Sequence, residues 1–364
     1  PGVAYQARQL GLAFNAVLGV IMSLFLSLGA GTILSGVGVA DALMQPAKTY
    51  LQIVGGFCIL NALIPICSSY LRAFGFSKEP LYASIIGNVI NFCLNAFFLF
   101  VLHKGVAGVA TATVISRIIN LVIVVLLGAV LVKAKQHPER ESNRAVMGQI
   151  IRIGLPSACE TAIYNVSMTL VIRFLNQMDA QGLNVTARSY TRQITNFSYC
   201  VGAALAQANA IMTGWHIGAK EYDACDRGTK KAAVIGVIVA VILETVFTLC
   251  SGWIMQLFSK DPQMVSLVGK LLAIDIVLEI GRVTNLVYGQ ALKTSGDAVF
   301  PVVMGACFMI LCSVGGTYLF GIRLGLLAVG AYIGMTGDEC VRAVGMYLRW
   351  KSGKWKEKGL VKSR

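Results

Sequence analysis

Long apolar stretches, separated by short polar connections, recur along the whole 364-residue chain. Each stretch has about 20 residues or more, which lets a helix rising about 1.5 Å per residue cross about 30 Å of hydrocarbon. This pattern predicts an all-α integral membrane protein. The ten predicted transmembrane helices are residues 10–34, 50–74, 81–102, 106–132, 148–175, 185–217, 232–258, 265–292, 299–322 and 324–348.

Composition supports a bilayer as the solvent, because 56% of the residues are hydrophobic, only 13% are charged and the mean hydropathy is +0.71. The net charge of +14 would suit a nucleic-acid partner, but the basic residues concentrate in alternate loops. That asymmetry indicates that these loops face the cytoplasm, so both chain ends are predicted on the cytoplasmic side of the cell membrane. The predicted partners are membrane lipids and not nucleic acid. The basic loops hold Arg8; Arg72 and Lys78; Lys133, Lys135, Arg140 and Arg144; Lys220, Arg227, Lys230 and Lys231; Lys293; and seven residues after 348, whereas the intervening loops hold Lys48, Lys104, Lys260 and Arg323.

An internal repeat divides the chain. Leu71 to Gly75 (LRAFG) aligns with Leu292 to Gly296 (LKTSG) at an offset of 221 residues, and Pro80 then falls on Pro301. One span later, residues 105–110 align with residues 325–330 at an offset of 220. An even number of spans separates the copies, so both share one orientation, as in parallel repeats about an axis along the membrane normal.

The repeat predicts a two-lobe bundle of six plus six helices that lacks its first two helices. The first half has no counterpart to residues 146–221, so we expect a sequence truncated at its N-terminus; a protein of ten helices is the alternative. The predicted domains are an N-lobe fragment with four helices (1–132), a cytoplasmic linker (133–145), a C-lobe with six helices (146–348) and a basic cytoplasmic tail (349–364). The tail is interpreted as a topology and anionic-lipid signal, with a specific partner as the alternative.

Charged residues inside predicted spans are candidate sites, because an ion in hydrocarbon is expensive and usually faces a cavity or a partner. Glu160 and Arg282 are the predicted pair, since each lies well inside its span. Glu279, three residues before Arg282, competes as an intrahelical partner. A buried carboxylate that alternates between protonated and paired states would suit proton coupling, and a structural salt bridge is the alternative. Glu244 is expected near a span end, where charge is ordinary.

The third predicted span carries amides at Asn88, Asn91 and Asn95, which project from one helix face. Their carbonyl oxygens could ligate Na⁺, with Thr113 and Arg117 on the next span completing a polar pocket. The alternative is an interhelical hydrogen-bond seam, which amides also form in membranes. No other metal or cofactor is expected, because the ten cysteines show no CxxC pair and most lie in apolar spans.

Four segments resemble the multidrug and toxic compound extrusion (MATE) transporters. Tyr50 to Gly75 resembles the fourth family helix and its loop, and Pro80 to Asn95 resembles the fifth. Residues 105–113 are similar to the start of the sixth, and residues 291–297 to the loop after the tenth. By this resemblance, the chain covers helices three to twelve.

The resemblance implies two lobes that alternate between inward-open and outward-open states and export organic cations in antiport with Na⁺ or H⁺, as a monomer. Family members carry a cation site around an aspartate of the first helix, which this chain lacks. Asn91 and Thr113 fall on positions of that site, and Asn95 falls where many members have aspartate. Glu160 resembles the acidic residue of the seventh helix.

The sequence leaves two other functional classes to consider as alternatives. A lipid-linked precursor flippase of the same superfamily would need a cationic cavity, for which Arg117, Arg192 and Arg282 are candidates. An enzyme is not expected, because no HExxH or GxSxG motif is present and the three histidines lie near span ends or in loops. Substrate would lie between the lobes against Tyr164, Asn165, Phe197 and Tyr199 if these side chains face inward; packing within the lobe is the alternative.

Overall fold

The computed structural model describes residues 2–37, 41–132, 142–178 and 182–358, and this part of the chain is helical throughout. The chain forms two compact units, residues 1–150 and 151–364. Most of the predicted linker, residues 133–141, lies outside the described residues, so the predicted domain boundaries stay a prediction.

The first unit is formed by six helices and the start of a seventh. α5 continues without interruption into a π-helical segment, Phe97–Val101. The buried core of the first unit contains Cys67, Leu71, Ala83 and Val124, and α1 also packs against it. The helices are α1 (Gly2–Leu28), α2 (Ala30–Val37), α3 (Asp41–Gly56), α4 (Ile59–Ala73), α5 (Lys78–Ala96), α6 (Gly105–Leu131) and α7 (Asn143–Met178), the last of which continues into the second unit.

The second unit is built around α11, which packs against α8, α9 and α13. α11 begins where Asp261 accepts a hydrogen bond from the backbone N–H of Gln263, and Pro262 occupies the first helical position, as in well-capped helices. The helices are α8 (Leu183–Gly218), α9 (Tyr222–Leu249), α10 (Ser251–Met255), α11 (Pro262–Thr294), α12 (Val299–Phe308, followed by π-helical segments Met309–Val314 and Thr317–Arg323) and α13 (Leu327–Lys351).

Each predicted span overlaps a helix or a broken pair of helices, although the bounds differ. α1 begins eight residues earlier than predicted, because Gln6 and Arg8 lower the hydropathy without interrupting the helix. By length and composition, five helices of the described chain can cross a membrane, or six if the bent pair Met44–Gly56 and Ile59–Ala73 is one span. α7, α8, α11 and α13 are outside that set, so the count of ten stays a prediction.

The two copies of the repeat share their turns in atomic detail. Gly75 and Gly296 both have positive φ, and each N–H bonds to the carbonyl three residues earlier, at 3.0 and 3.1 Å. A glycine is favoured there because a side chain would strain that conformation.

The second match is displaced by two residues. Lys104 N–H bonds to Phe98 and Leu326 N–H bonds to Phe320, which sets the offset at 222 and not 220. Each copy has two residues of positive φ at this turn, and glycine occupies the second in one copy (Gly105) and the first in the other (Gly325). Aligning glycine with glycine therefore misplaced the predicted register.

The described part of the predicted tail is folded. Trp350 and Trp355 are buried and stacked, with ring centroids 4.1 Å apart. Trp350 Nε1 donates to Asp226 at the start of α9 over 2.8 Å, and Arg349 pairs with Asp297 at 2.7 Å. Residues 349–358 therefore fasten the end of α13 to the second unit; residues 359–364 lie outside the described residues.

Candidate functional site

A cavity of about 600 Å³ lies within the second unit, lined mainly by α7, α8, α11 and α13. These four helices are the long ones too polar to qualify as membrane spans by composition. Their polar side chains meet in the cavity, and α11 carries three of its charged residues, Asp275, Glu279 and Arg282, in a layer between two apolar cores. The core residues that flank this layer on α11 include Leu271 and Val287.

Glu160 and Arg282 both line the cavity, but the predicted bridge between them is wrong. Lys293 Nζ donates to Glu160 Oε2 over 2.6 Å, joining α11 to α7. The sequence predicts Lys293 in a cytoplasmic loop, but its long side chain extends to the carboxylate, and both side chains are 18% exposed.

Arg282 belongs to a network with Glu279 and Glu339. Its Nη1 donates to Glu279 on the same helix, so the competing intrahelical pair is the one that forms. Its Nε lies 3.7 Å from Glu339 on α13. Glu339 also forms an ion pair with Arg342 at 3.0 Å and accepts a hydrogen bond from Asn285 at 3.0 Å, and it therefore compensates two guanidinium groups.

Asp338 and Arg342, four residues apart on α13, form an intrahelical pair. Arg342 makes two hydrogen bonds to the carboxylate, of 2.8 and 3.0 Å, and Ser313 donates a third at 3.0 Å. This arrangement is typical of a structural ion pair whose charges are satisfied locally.

Three buried carboxylates meet behind the cavity wall. Glu244 of α9, Asp275 and Glu279 have oxygens within 4.8 Å of one another. Glu244 is 0% exposed, and neither of its oxygens has a hydrogen-bond partner among the described residues, although the Ser198 hydroxyl lies near it. Asp275 also lines the cavity, so it connects this carboxylate cluster (Glu244, Asp275 and Glu279) with the cavity.

Glu244 does lie five residues before the end of α9, but the expectation that its charge is ordinary is wrong, because the side chain is fully buried. A signal in the sequence could have located it, because the buried residues of α9 follow a helical spacing of three or four: Thr229, Ala233, Gly236, Ala240 and Glu244. Small residues at this spacing indicate a helix–helix interface in membranes, and Glu244 continues that face.

The predicted substrate contacts divide into two groups. Tyr164, Asn165 and Tyr199 line the cavity, and Arg282 lies 6.0 Å from the centroid of the Tyr199 ring. Phe197 does not line it; this side chain is 69% exposed and contacts the Phe247 ring of α9.

The first unit brings the predicted amides together. Asn95 Nδ2 donates to Asn91 Oδ1 over 3.1 Å, and Asn91 Nδ2 donates to Ser116 of α6 over 3.3 Å. The Thr113 hydroxyl donates to Val109 of its own helix at 2.9 Å. These contacts favour the interhelical seam over a preformed Na⁺ site, although Asn95 Oδ1 is buried without a partner among the described residues. Arg117 lies one turn beyond Thr113 and is half-buried.

Comparison with known proteins relates this architecture to one family. A family model described as MatE matches residues 1–97 and 156–319. The uncharacterized transporter YisQ of Bacillus subtilis is 32% identical over 364 residues, covering 98% of this chain and 80% of the relative. The probable multidrug resistance protein NorM of Thermotoga maritima is 22% identical, covering 93% of this chain and 76% of its own.

A solved structure shows the same fold. The eukaryotic MATE transporter AtDTX14 superposes with a TM-score of 0.87 at 18% identity, over 97% of this chain and 79% of that one. The family match covers well over half of the sequence, and the resemblance noted from the repeat and its turns extends along nearly all of it. The chain belongs to the MATE family of multi-pass membrane transporters.

Proposed function

We propose that this MATE efflux transporter exports small molecules by alternating access, in exchange for Na⁺ or H⁺. The observation that carries the proposal is the joining of two sites at Asp275. This residue lines the 600 Å³ cavity and also belongs to the buried carboxylate cluster with Glu244 and Glu279. A substrate site and an ion site that share a residue can influence each other, which is what coupled transport requires.

The carboxylate cluster could bind a coupling ion. Three carboxylates within 4.8 Å repel one another strongly where water is excluded, so a proton or a hard cation must compensate them. Arg282 supplies one positive charge, through Glu279. Gain or loss of the further charge would favour different arrangements of α9 and α11, and an ion can drive a transition only through such a difference in affinity.

The Glu160–Lys293 pair is a second element of the proposed coupling. It crosses from α7 to α11 at the cavity and can open only if another charge replaces one partner. The other candidate ion site lies in the first unit, at Asn91, Asn95, Thr113 and Arg117. None of these four side chains is a carboxylate.

The substrates are proposed to be small molecules because relatives are named as multidrug resistance proteins. The family resemblance favours organic cations. The same relatives do not favour the flippase alternative, and Arg117 lies in the first unit, whereas Arg192 and Arg282 line the cavity.

Transport by the full chain in vesicles tests the proposal. Efflux of a fluorescent organic cation should accelerate when an inward Na⁺ or H⁺ gradient is imposed. Glu244→Gln should reduce this acceleration by about tenfold or more, because it removes the charge that the ion compensates. Glu357→Gln, an exposed change outside the cavity, should leave it intact. Efflux in the unmodified protein that ignores both gradients would contradict ion coupling.

We further propose that the chain resides in the cell membrane as a monomer with both ends in the cytoplasm, as the basic loops indicate. Green fluorescent protein fused after Arg364 should fluoresce, and alkaline phosphatase fused there should be inactive. The purified protein should have the mass of one 38.9 kDa chain after subtraction of detergent. An active phosphatase fusion would contradict the proposed topology, and a doubled protein mass would contradict the proposed monomeric state.

A further inference from the structure

Two arginines on one face of α8 differ from the other cations of the cavity. Arg188 and Arg192 are four residues apart, so they lie on the same side of the helix, and both line the cavity. Arg188 is only 6% exposed, whereas Arg192 is exposed. Its Nη2 donates to the sulfur of Met168 at 3.5 Å, and its Nε has no partner among the described residues. A thioether is a weak acceptor, so the Arg188 charge is poorly compensated.

The remaining cavity cations all have carboxylate partners. Lys293 pairs with Glu160, Arg282 pairs with Glu279, and Arg342 pairs with Asp338 and Glu339. Within the described ranges, no carboxylate oxygen lies within 4.0 Å of the Arg188 or Arg192 guanidinium. The α8 wall therefore presents two positive charges that the protein does not neutralise by direct pairing.

A buried cation without a counter-charge is costly, and proteins rarely keep one unless a ligand or partner compensates it. A guanidinium is the side chain best suited to an oxyanion, because its N–H groups match both oxygens of a carboxylate or two oxygens of a phosphate. Thr195, one turn from Arg192 on the next face of α8, adds a hydroxyl to the same cavity wall.

We infer that Arg188 and Arg192 form an oxyanion subsite, so that the transported molecule carries a carboxylate or phosphate group. The molecule is then a zwitterion or an anion, with its remaining body against Tyr164, Asn165 and Tyr199, which also line the cavity. This inference rests on the proposed function and narrows the substrate class, which the family resemblance alone would set as organic cations. A phospholipid headgroup offers the same oxyanion chemistry, and the experiment separates it from a small-molecule substrate.

The test compares two dyes that differ in a single group. Rhodamine B carries a free carboxylate, and its ethyl ester does not. Fluorescence anisotropy with the full chain in phosphatidylcholine nanodiscs, without any ion gradient, should show rhodamine B binding at least about tenfold more tightly than the ester. The Arg188→Gln and Arg192→Gln double variant should lose this preference. Arg227→Gln, an exposed arginine of α9 outside the cavity, should keep it.

A second readout decides the case in which neither dye binds. Benzoate should raise the unfolding temperature more than benzamide at equal ionic strength, and the double variant should respond equally to both. Equal binding of the two dyes, or two undetectable dyes together with equal effects of benzoate and benzamide, would overturn the inference.

Repeating the dye measurement with phosphatidylglycerol in the nanodiscs identifies the source of the anion. Retained preference for rhodamine B supports a small-molecule substrate. If the anionic lipid competes and the preference is lost, the inference of a small-molecule substrate is overturned. The arginines would then bind a lipid headgroup. A protein that transports the ester as well as the acid would preserve the proposed function and contradict only this inference.

Discussion

Glu339 holds the charged layer of the second unit together. It lies between Arg282 and Arg342 and also accepts a hydrogen bond from Asn285. Because its side chain is only 11% exposed, water contributes little to stabilising the two guanidinium groups. A carboxylate shared in this way links α11 to α13 through charge as well as packing.

Removing the Glu339 charge should therefore destabilise the protein. Glu339→Gln keeps the size of the side chain but leaves two cations with less compensation, which should cost on the order of 3 kcal/mol of unfolding free energy. Thermal unfolding in detergent measures the loss, with Glu357→Gln as an exposed control that should not change the transition. An unchanged transition in Glu339→Gln would show that the layer is compensated by other groups.

At this scale the sequence predicted which charged residues line the cavity better than which residues form pairs. Glu160 and Arg282 do line one cavity, but their partners are Lys293 and Glu279. The partner of a long side chain depends on the distance between helices and on how far the chain can extend, and neither is set by spacing along one helix. Spacing along the chain did indicate a pair where both partners share a helix, at Glu279 and Arg282.

At the scale of elements, the turn before α6 and the turn before α13 are the same device. A π-helical segment precedes each turn, and the following helix begins with a close approach to that segment. A Cβ at Gly108 would lie 2.7 Å from the Phe98 Cβ, and one at Gly330 would overlap the Phe320 backbone. Two halves with little sequence in common have therefore kept one backbone geometry.

Gly330→Ala should separate the turn from α13. Its new methyl group meets backbone that cannot rotate away, so we expect a loss of about 1–3 kcal/mol in unfolding free energy. Gly337→Ala on the same helix is the matched control, because a Cβ there meets nothing within 4 Å. Measurements of unfolding temperature should rank Gly330→Ala below both the control and the unmodified chain; equal stability of the two variants would refute the close approach.

The positions of the helices were predictable from hydropathy, since long apolar runs and helices overlap along the chain. Their irregularities were not. The break after Leu28, the bend between α3 and α4 and the π-helical segments leave no trace in a hydropathy average. The register error at Gly325 arose similarly, because either of two positions in the turn accepts glycine.

For the whole molecule, we propose an exchange of substrate for an ion within one MATE architecture. The second unit contains the two sites proposed for that exchange, the cavity and the buried carboxylate cluster, with Asp275 in each. Their proximity predicts that the two binding events oppose or favour each other by the same factor in both directions, since coupling between sites is reciprocal.

Reciprocity provides the most direct measurement. Vesicles containing the full chain should be loaded with ions at equal concentration on both sides and given only a gradient of substrate, with Na⁺ followed by radioactive tracer and H⁺ by an internal pH dye. Substrate moving down its gradient should drive one of these ions in the opposite direction, and Glu244→Gln should abolish the ion flux. Substrate movement with no flux of either ion, or with flux in the same direction, would contradict the proposed exchange.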